Sequence, residues 1–531
     1  KMKIAGFCSS HDCSYCILDN GVPVVHNELE RFIREKEPMG DGFQFMIDSG
    51  ESVDEIKHFT HCFDTWNGGI EARFPESFQK MKDILEKNDG EYFVPGHHES
   101  HAANAFFSSN YDEALIITVD GGGRDYGPNG EMIITTFTVW TGKENKISVV
   151  DIIDYGDLNI GSAWSSTTGE VFGLSTGHPK GNQAGTVMAM ACMGEPKYVD
   201  HFLNAGLRSS AGLDFGYLKN IADKSEKDSF DVAASLQLAT EIKIKELFTK
   251  YLEQHPYKYL CLSGGVALNS VMVGKLYEWF PQLEGIYVCP VPYDAGLAIG
   301  AAQYVWHQVL DNPRIKWEDN ATPYLGRPFT DEQILDAINE KSDQVVYENV
   351  TDDDVIELLT KDANVISVFN EGSESGRRAL GNRSILADPR DPKMKDVLNE
   401  KVKHRQWFRP FAPSVLRDHV KDWFVRDVDS PYMTKVIKFK DEVVDQVPAV
   451  AHFDNSARLQ TVTEKDNKWY YGFIKKFYEK TGVPILLNTS FNDREPIVET
   501  PSHAINCFLN TNIDYLYFSG PGVLLKKVGS E

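Results

Sequence analysis

One pattern occurs twice in the first half of the chain and constrains the fold more than any other feature. A strand leads into a turn that contains Asp12, and a hairpin follows whose turn is predicted at Asp19-Asn20-Gly21. The same order returns with a buried strand, a glycine-rich turn after Asp120, and a hairpin that turns at Pro128-Asn129-Gly130. The repetition predicts a duplicated α/β unit.

Duplicated units of this kind build the actin-like and Hsp70-like ATPase folds, in which phosphates lie between the two turns. Strands and helices continue to alternate up to about residue 310. Within them, Ser263-Gly264-Gly265 places backbone N–H groups at the start of a helix, where a phosphate or nucleotide can bind. The polar stretch 311–333 is the predicted linker to a second α/β unit, and 531 residues suffice for two to four domains.

The composition limits which partners the protein can bind and in which cellular compartment it is expected. The formal net charge is −24, which argues against polymeric nucleic acid as a partner. No apolar run is long enough to cross a membrane, and the N-terminus lacks the apolar stretch of a signal peptide. Five of the eight cysteines are scattered, as is typical of reduced thiols: Cys62, Cys192, Cys261, Cys289 and Cys507. We therefore expect a cytoplasmic protein with no membrane partner.

A basic segment, residues 377–409, stands out in this acidic chain. It carries ten Lys or Arg residues against four acidic ones, a net charge of +6. A solvated basic face is the ordinary explanation of such a run. Here, however, the arginines alternate with Gly, Pro and aromatic residues in "RRALGNRS" and "WFRPFAPS". The segment is therefore predicted to bind an anion.

The stretch "HHESHAANAF" carries the strongest local signal for a metal site. His97 and His101 are four residues apart, so on a helix they share one face. Asp120 and Asp294 are the predicted acidic partners, and a set of two histidines and two aspartates suits Fe(II), Mn or Zn. A histidine pair at this spacing is equally compatible with an ordinary surface or core position.

The opening stretch "FCSSHDCSYC" poses a choice between two chemistries. Cys8, Cys13 and Cys16 have the spacing of plant-type iron–sulfur ligands, but a fourth cysteine with supporting context is missing. We therefore interpret the cysteines as packing residues. His11 and Asp12 lie in the first of the two repeated turns, where a histidine could act as a general base.

A resemblance to a known family joins these segments. The motifs "HHESHAANAF", "VDGGG", "LSGGVALN", "RRALGNRSILADPR", "KVKHRQWFRPFAPSVL", "SARLQTV" and "TGVPILLNTSFNDREPIVETP" stand in one order from about residue 3 to about 520. Together they resemble the O-carbamoyltransferases of natural-product and nodulation-factor biosynthesis, such as the tobramycin, cephamycin and nodulation-protein-U enzymes.

The resemblance implies an α/β protein with two domains. Residues 1–322 would form a Kae1-like, carbamoyl-transferring domain of the actin/Hsp70 class, with a duplicated RNase H-like core. Residues 323–531 would form a YrdC-like domain that makes carbamoyl adenylate from carbamoyl phosphate and ATP. The carbamoyl group would then pass to a hydroxyl of a small acceptor, a sugar or a nucleoside. A divalent metal, with Fe(II) favoured over Mn or Zn, and ATP with Mg are the implied cofactors, and a homodimer is compatible with the sequence.

The resemblance also implies roles for individual residues. The metal set would be His97, His101, Asp120 and Asp294. His11 with Asp12 would act in transfer, and Lys36 would reach toward bound phosphates. The adenosine would face Gly121, Gly122, Gly264, Gly265 and Asn269. Carbamoyl phosphate and the ATP phosphates would be held by Arg378, Arg383, Lys403, Arg409, Arg458, Asn488 and Ser490.

Two positions depart from the family pattern: Arg377 replaces a proline, and Thr186 stands where a lysine is usual. Three other functions stay open from the sequence. One is threonylcarbamoyl-type transfer to tRNA, which uses a related adenylate. The second is a sugar or acetate kinase, which would need no arginine-rich second domain. The third is a non-enzymatic actin-like ATP-binding protein, which would bind nucleotide without turnover of carbamoyl phosphate.

Overall fold

The structure, a computed structural model, describes residues 2–63, 69–175, 183–208 and 212–530. Its residues group into two units by their contacts. The first unit comprises Lys1–Asn269 and Lys275–Thr322, and the second comprises Ser270–Gly274 and Pro323–Glu531. Both units mix helices and strands, so the chain has an α/β fold. The Kae1-like and YrdC-like assignments stay predictions.

The first five strands form the first sheet of the first unit. They are β1 (Lys3–Cys8), β2 (Ser14–Asp19), β3 (Val22–Glu28), β4 (Ile56–His61) and β5 (Glu91–Phe93). The order is β3-β2-β1-β4-β5, with β1 antiparallel to β2 and parallel to β4. Asn20 and Gly21 both have positive φ values, of 49° and 85°, as a two-residue hairpin turn requires. The predicted hairpin is confirmed.

The second sheet of the first unit has the same topology. Its strands are β6 (Glu113–Tyr126), β7 (Met132–Lys143), β8 (Lys146–Asp154), β9 (Tyr259–Ser263) and β10 (Gly285–Val288). The order is β10-β9-β6-β7-β8, with β6 antiparallel to β7 and parallel to β9. The hairpin turn lies between Tyr126 and Met132, as predicted. Two sheets of one strand order confirm the predicted duplication.

Helices connect and cover these sheets. Those of the first unit are α1 (Leu29–Ile33), α2 (Gly42–Asp48), α3 (Ile70–Arg73), α4 (Pro75–Asn88), α5 (His97–Phe107), α6 (Ile160–Glu170), α7 (Ala184–Ala191), α8 (Val199–Asn204), α9 (Phe215–Ala222), α10 (Glu226–Gln254), α11 (Ser270–Trp279, which begins in the second unit), α12 (Leu297–Tyr304) and α13 (Trp317–Asn320). Helix α12 packs against α5 and β1. Gly300 and Gly6 allow this approach, because a Cβ at either would overlap backbone oxygen of α5 or α12.

The second unit is built on a nine-stranded mixed sheet. Its strands are β11 (Val345–Asn349), β12 (Ile366–Phe369), β13 (Arg383–Ala387), β14 (Ala412–Leu416), β15 (Lys435–Lys438), β16 (Ser456–Val462), β17 (Ile485–Ser490), β18 (Tyr515–Phe518) and β19 (Val523–Lys527). The order is β11-β19-β18-β12-β13-β17-β14-β16-β15. The helices are α14 (Asp331–Asn339), α15 (Asp352–Leu359), α16 (Met394–Val397), α17 (Val420–Trp423), α18 (Lys468–Thr481) and α19 (Pro501–Leu509).

The cysteines of the opening stretch are buried thiols. Cys8 lies on β1, Cys16 lies on β2, and Cys13 belongs to an apolar cluster with Phe7 and Phe43. Burial raises the pKa of the Cys8 thiol to about 12. All eight cysteines of the chain are free. The packing role predicted for Cys13 is confirmed.

Candidate metal centre and arginine cluster

The structure brings the four predicted metal ligands together. His97 and His101 lie on one face of α5, Asp120 lies within β6, and Asp294 lies just before α12. One nitrogen or oxygen atom from each residue lies within 4.8 Å of the others. His97 Nε2 is 2.7 Å from Asp120 Oδ2, and His101 Nε2 is 3.3 Å from Asp294 Oδ1. We call these four residues the metal set.

The donor chemistry of the metal set fits a divalent ion. His101 Nε2 is buried and makes no hydrogen bond with any residue that the structure describes, while its Nδ1 lies 3.4 Å from Ser263 Oγ. A proton on Nδ1 would leave the Nε2 lone pair for an ion. Two imidazole nitrogens and two carboxylate oxygens suit Fe(II), Mn or Zn.

His98 is a member of this site that the sequence did not single out. The His98 Nε2 lies 2.7 Å from Asp120 Oδ1, which is the carboxylate oxygen that does not face His97. The His98 Nδ1 lies 3.2 Å from Asp125 Oδ2. Burial lowers the pKa of His98, but Asp120 and Asp125 outweigh it and raise the pKa to about 10. His98 therefore holds one oxygen of Asp120 and leaves the other facing the metal set. The adjacent histidine in "HHESH" was the available signal.

His11 is connected to the metal set through Asp294. Its Nε2 lies 3.0 Å from Asp294 Oδ2, and its Nδ1 lies 3.0 Å from Oδ2 of the buried Asp12. The His11 side chain is 38% exposed. It lines a cavity of about 30 Å³ together with His61, Cys62, His97, Gly122 and Asp294. A small reactant there would contact both His11 and the edge of the metal set.

The predicted adenosine residues fall into two groups. Gly122 lines this cavity, and its N–H donates to Asp120 Oδ1 over 2.8 Å. Gly264 has a φ of 91°, and a Cβ there would overlap Val119, so the Gly264-Gly265 turn lies against β6. The Asn269 amide, by contrast, exchanges two hydrogen bonds with Gln237. Contact of Asn269 with adenosine stays a prediction.

Lys36 and Gly121 complete the predicted residues of the first unit. Lys36 is exposed in the bend that follows α1. Gly121 packs against the start of α6, where a Cβ at Gly161 would overlap the Gly121 backbone. A phosphate contact of Lys36 stays a prediction.

In the second unit, arginines from distant segments gather in one cluster. Burial, followed by the charges of Arg378, Arg409 and Arg405, lowers the pKa of Arg458 well below its usual value. Burial lowers the pKa of Arg409 to about 10. The Nε atom of Arg458 is buried without a hydrogen-bond partner among the described residues. We call Arg378, Arg405, Arg409 and Arg458 the arginine cluster. Arg405 was counted in the basic segment but was not predicted as a ligand.

Lys403 and Ser490 also meet, as two predicted members of the phosphate site. Lys403 is 3% exposed, and its Nζ donates to the Ser490 carbonyl at 2.9 Å and to Asn492 Oδ1 at 2.6 Å. Burial and the neighbouring Arg405 and Arg409 hold the pKa of Lys403 well below its usual range. A nearby anion would therefore stabilise the charged form of this buried ammonium group.

Arg383 and Asn488 are held largely by the protein itself. The buried Arg383 guanidinium donates to four backbone carbonyls, those of Asn370, Glu371, Asn382 and Glu499, and stacks 3.5 Å from the centre of the Phe369 ring. The Asn488 amide donates to Ala379 O and Gln460 Oε1. Their phosphate contacts stay predictions, and the geometry of Arg383 favours a positioning role.

The fold and these two groups of side chains define an α/β protein with a candidate metal centre in one unit and a candidate anion site in the other. A family model described as Carbamoyltransferase N-terminus matches residues 77–303, and one described as Carbamoyltransferase C-terminus matches residues 357–526. The chain belongs to the carbamoyltransferase family, which makes it a transferase by class.

Relatives agree with this membership. Nodulation protein NolO of Bradyrhizobium diazoefficiens is 34% identical over 456 residues, which are 82% of this chain and 79% of that protein. Nodulation protein U of Sinorhizobium fredii is 25% identical over 92% of this chain and 94% of its own length. A Synechocystis protein, sll1178, is 36% identical over 95% of this chain and 94% of its own length.

Solved structures match less closely. HypF of T. kodakarensis aligns with a TM-score of 0.38 and 13% identity over 58% of this chain and 48% of its own. Similarity at this level carries no argument about fold or function. Separately, the described helices include none with the length and apolar character needed to span a membrane.

Proposed function

We propose that this protein is an ATP-dependent O-carbamoyltransferase. In the first half-reaction, water would release phosphate from carbamoyl phosphate and leave carbamate. A carbamate oxygen would then attack the α-phosphorus of ATP and expel pyrophosphate, which yields carbamoyl adenylate. In the second, an acceptor hydroxyl would attack the carbamoyl carbon and expel AMP. Membership in the carbamoyltransferase family supports the class of reaction.

The second unit would form the adenylate. Attack at phosphorus places negative charge on phosphoryl oxygens, and fixed guanidinium groups stabilise that charge. Burial, and then the charges of neighbouring arginines, lower the pKa values of Arg458 and Arg405, so an anion among them would relieve this repulsion. Lys403 would add a positive charge at the same site, and Ser490, which the Lys403 ammonium group contacts, would add a hydroxyl.

The first unit would carry out the transfer, and one observation there carries the proposal. Asp294 faces His101 with Oδ1 and His11 with Oδ2, so the proposed base stands one carboxylate away from the metal set. His11 would accept the proton of the attacking hydroxyl. Asp12 would orient the His11 ring through Nδ1.

A divalent ion held by His97, His101, Asp120 and Asp294 would polarise the carbamoyl carbonyl and balance phosphate charge. Fe(II) is the proposed ion, with Mn or Zn as substitutes, and Mg would accompany ATP. The adenosine would lie against Gly121, Gly122, Gly264 and Gly265. The acceptor would be a small hydroxylated compound, a sugar or a nucleoside.

A product assay tests the proposal. Purified protein is incubated with ATP and Mg²⁺, with and without carbamoyl phosphate, and AMP, ADP and pyrophosphate are quantified. We expect pyrophosphate only when carbamoyl phosphate is present, together with AMP, because water attacks the carbamoyl carbon when no acceptor is added. Release of ADP would favour a kinase, and nucleotide binding without turnover would favour a non-enzymatic protein; either result would reject the proposal.

A further inference from the structure

A stripe of side chains on α5 continues beyond the two histidines of the metal set. His97, His101, Asn104 and Ser108 are spaced by four, three and four residues, so they lie along one helical face. Asn104 is 1% exposed, and Ser108, which ends the helix, is equally buried. The face that supplies two ligands therefore also supplies a buried amide.

The Asn104 amide binds the loop that carries the fourth ligand. Its Nδ2 donates to Val291 O at 3.1 Å and lies 3.4 Å from Gly296 O. Asp294 lies between these two anchors. The Asn104 Oδ1 accepts from Ser108 Oγ at 2.9 Å. Because both loop carbonyls can only accept, the orientation of the amide is fixed by its partners.

The same loop is anchored from its other side by the first sheet. The Ala295 carbonyl accepts from Ser14 Oγ and from His26 Nε2, each at 2.8 Å. Ser14 lies on β2 and His26 lies on β3. Gly296 is required beside Asn104, because a Cβ there would lie 2.8 Å from the Asn104 Nδ2 and would overlap the Val291 carbonyl.

We propose that Asn104 is a positioning residue of the metal centre. By binding both ends of the loop Val291–Gly296, its amide holds Asp294 Oδ1 against His101, so the helix that carries the histidines also sets their distance from the fourth ligand. The inference rests on the proposed metal centre and does not depend on the carbamoyl reaction.

Binding of Co²⁺ to the full chain tests this role, because its visible absorption reports both affinity and ligand geometry. The variant is Asn104→Leu, which keeps the side-chain size and removes both N–H donors. We expect Co²⁺ affinity to fall about 10- to 100-fold, the range for residues that orient metal ligands, with an altered absorption spectrum. A residue with only a structural role would lower the melting temperature of the metal-free protein and leave affinity and spectrum unchanged.

Three further variants complete the experiment. Asn145→Ala is the matched control, because that amide donates to Asp311 and Asn312 at a different loop; it should bind Co²⁺ like the parent. Ser108→Ala removes the hydroxyl that holds Asn104 and should weaken binding to a smaller extent, which covers the case in which Asn104→Leu does not fold. His101→Ala should abolish binding and so locate the Co²⁺ site.

The outcomes separate the two proposals. Parent-like affinity and spectrum in both Asn104→Leu and Ser108→Ala would overturn the positioning role. Failure of the parent to bind Co²⁺ would overturn the metal centre and this role with it. Intact Co²⁺ binding without carbamoyl-phosphate-dependent AMP release would reject the proposed reaction alone.

Discussion

In the first unit, the two oxygen atoms of a single carboxylate contact different partners. Asp120 presents Oδ2 to His97 while Oδ1 is held by His98 and the Gly122 N–H. Asp294 presents Oδ1 to the metal set and Oδ2 to His11. A carboxylate used on both sides cannot move toward one partner without leaving the other. The position of His11 is therefore coupled to the geometry of the metal set.

This coupling makes His11 a target that separates the two half-reactions. In His11→Asn, a shorter amide side chain keeps a hydrogen-bond donor near Asp12 but cannot take up a proton. We expect carbamoyl-phosphate-dependent pyrophosphate release to continue, while transfer to an acceptor falls about 100- to 10,000-fold, the usual contribution of a general base. Pyrophosphate release and carbamoylated product are measured in parallel. Loss of both activities would mean that His11 is structural.

Arg409 in the second unit should affect the other half-reaction. Arg409→Ala removes a desolvated guanidinium from the arginine cluster, and we expect pyrophosphate release to fall about 100- to 1,000-fold. Arg417→Ala is the matched control, because Asp427 and Asp429 already pair with that guanidinium. The prediction fails if Arg409→Ala releases pyrophosphate at the parent rate, or if the control loses as much activity.

At the scale of secondary-structure elements, β6 is shaped around the metal set. The register between β6 and β7 shifts between Val119 and Gly123, and the irregular stretch contains Asp120 itself. Such an irregularity redirects a strand and its side chains. A Cβ at Gly123 would overlap the imidazole of His97. The glycines after Asp120 therefore allow β6 to pass close to α5.

Gly123→Ala tests this close approach. We expect the added methyl to displace His97 and to weaken Co²⁺ binding at least about 10-fold, with the secondary structure retained. Gly185→Ala is the control, because a Cβ at that position in α7 meets no atom within 4 Å. The Co²⁺ affinity of both variants is measured by isothermal titration calorimetry of the metal-free proteins. Equal affinities for Gly123→Ala and the parent would contradict the steric argument.

The sequence predicted those features that depend on local spacing. The Asn20-Gly21 turn, the repeated strand–turn–hairpin pattern and the shared helical face of His97 and His101 follow from neighbouring residues alone. The role of His98 could not be predicted, because it depends on contacts with Asp120 and Asp125 of β6. The spacing of residues within α5 does not reveal those contacts. The backbone carbonyls of Asn370, Glu371 and Glu499 that hold the Arg383 guanidinium could not be predicted from local spacing either, and its phosphate contact stays a prediction.

At the scale of the whole molecule, charge is distributed unevenly along the chain. The chain carries −24, yet residues 377–409 carry +6, so the remainder carries −30. Four positive side chains of the second unit lie in one half-buried cluster. A small anion is attracted by the cluster itself, whereas a polyanion also meets the net negative charge of the rest of the chain, which repels it.

Transfer RNA is therefore expected to bind poorly to this protein, although it is the acceptor in threonylcarbamoyl-type transfer, which uses a related adenylate. We expect no binding of fluorescently labelled tRNA by anisotropy at about 10 μM protein in about 50 mM salt, conditions that favour phosphate contacts. Carbamoyl-phosphate-dependent AMP release should also be unchanged when tRNA is added. ATP binding measured in the same buffer provides the positive control. Tight tRNA binding that raises AMP release would instead favour threonylcarbamoyl-type transfer, because attraction at the basic segment would then outweigh repulsion from the rest of the chain.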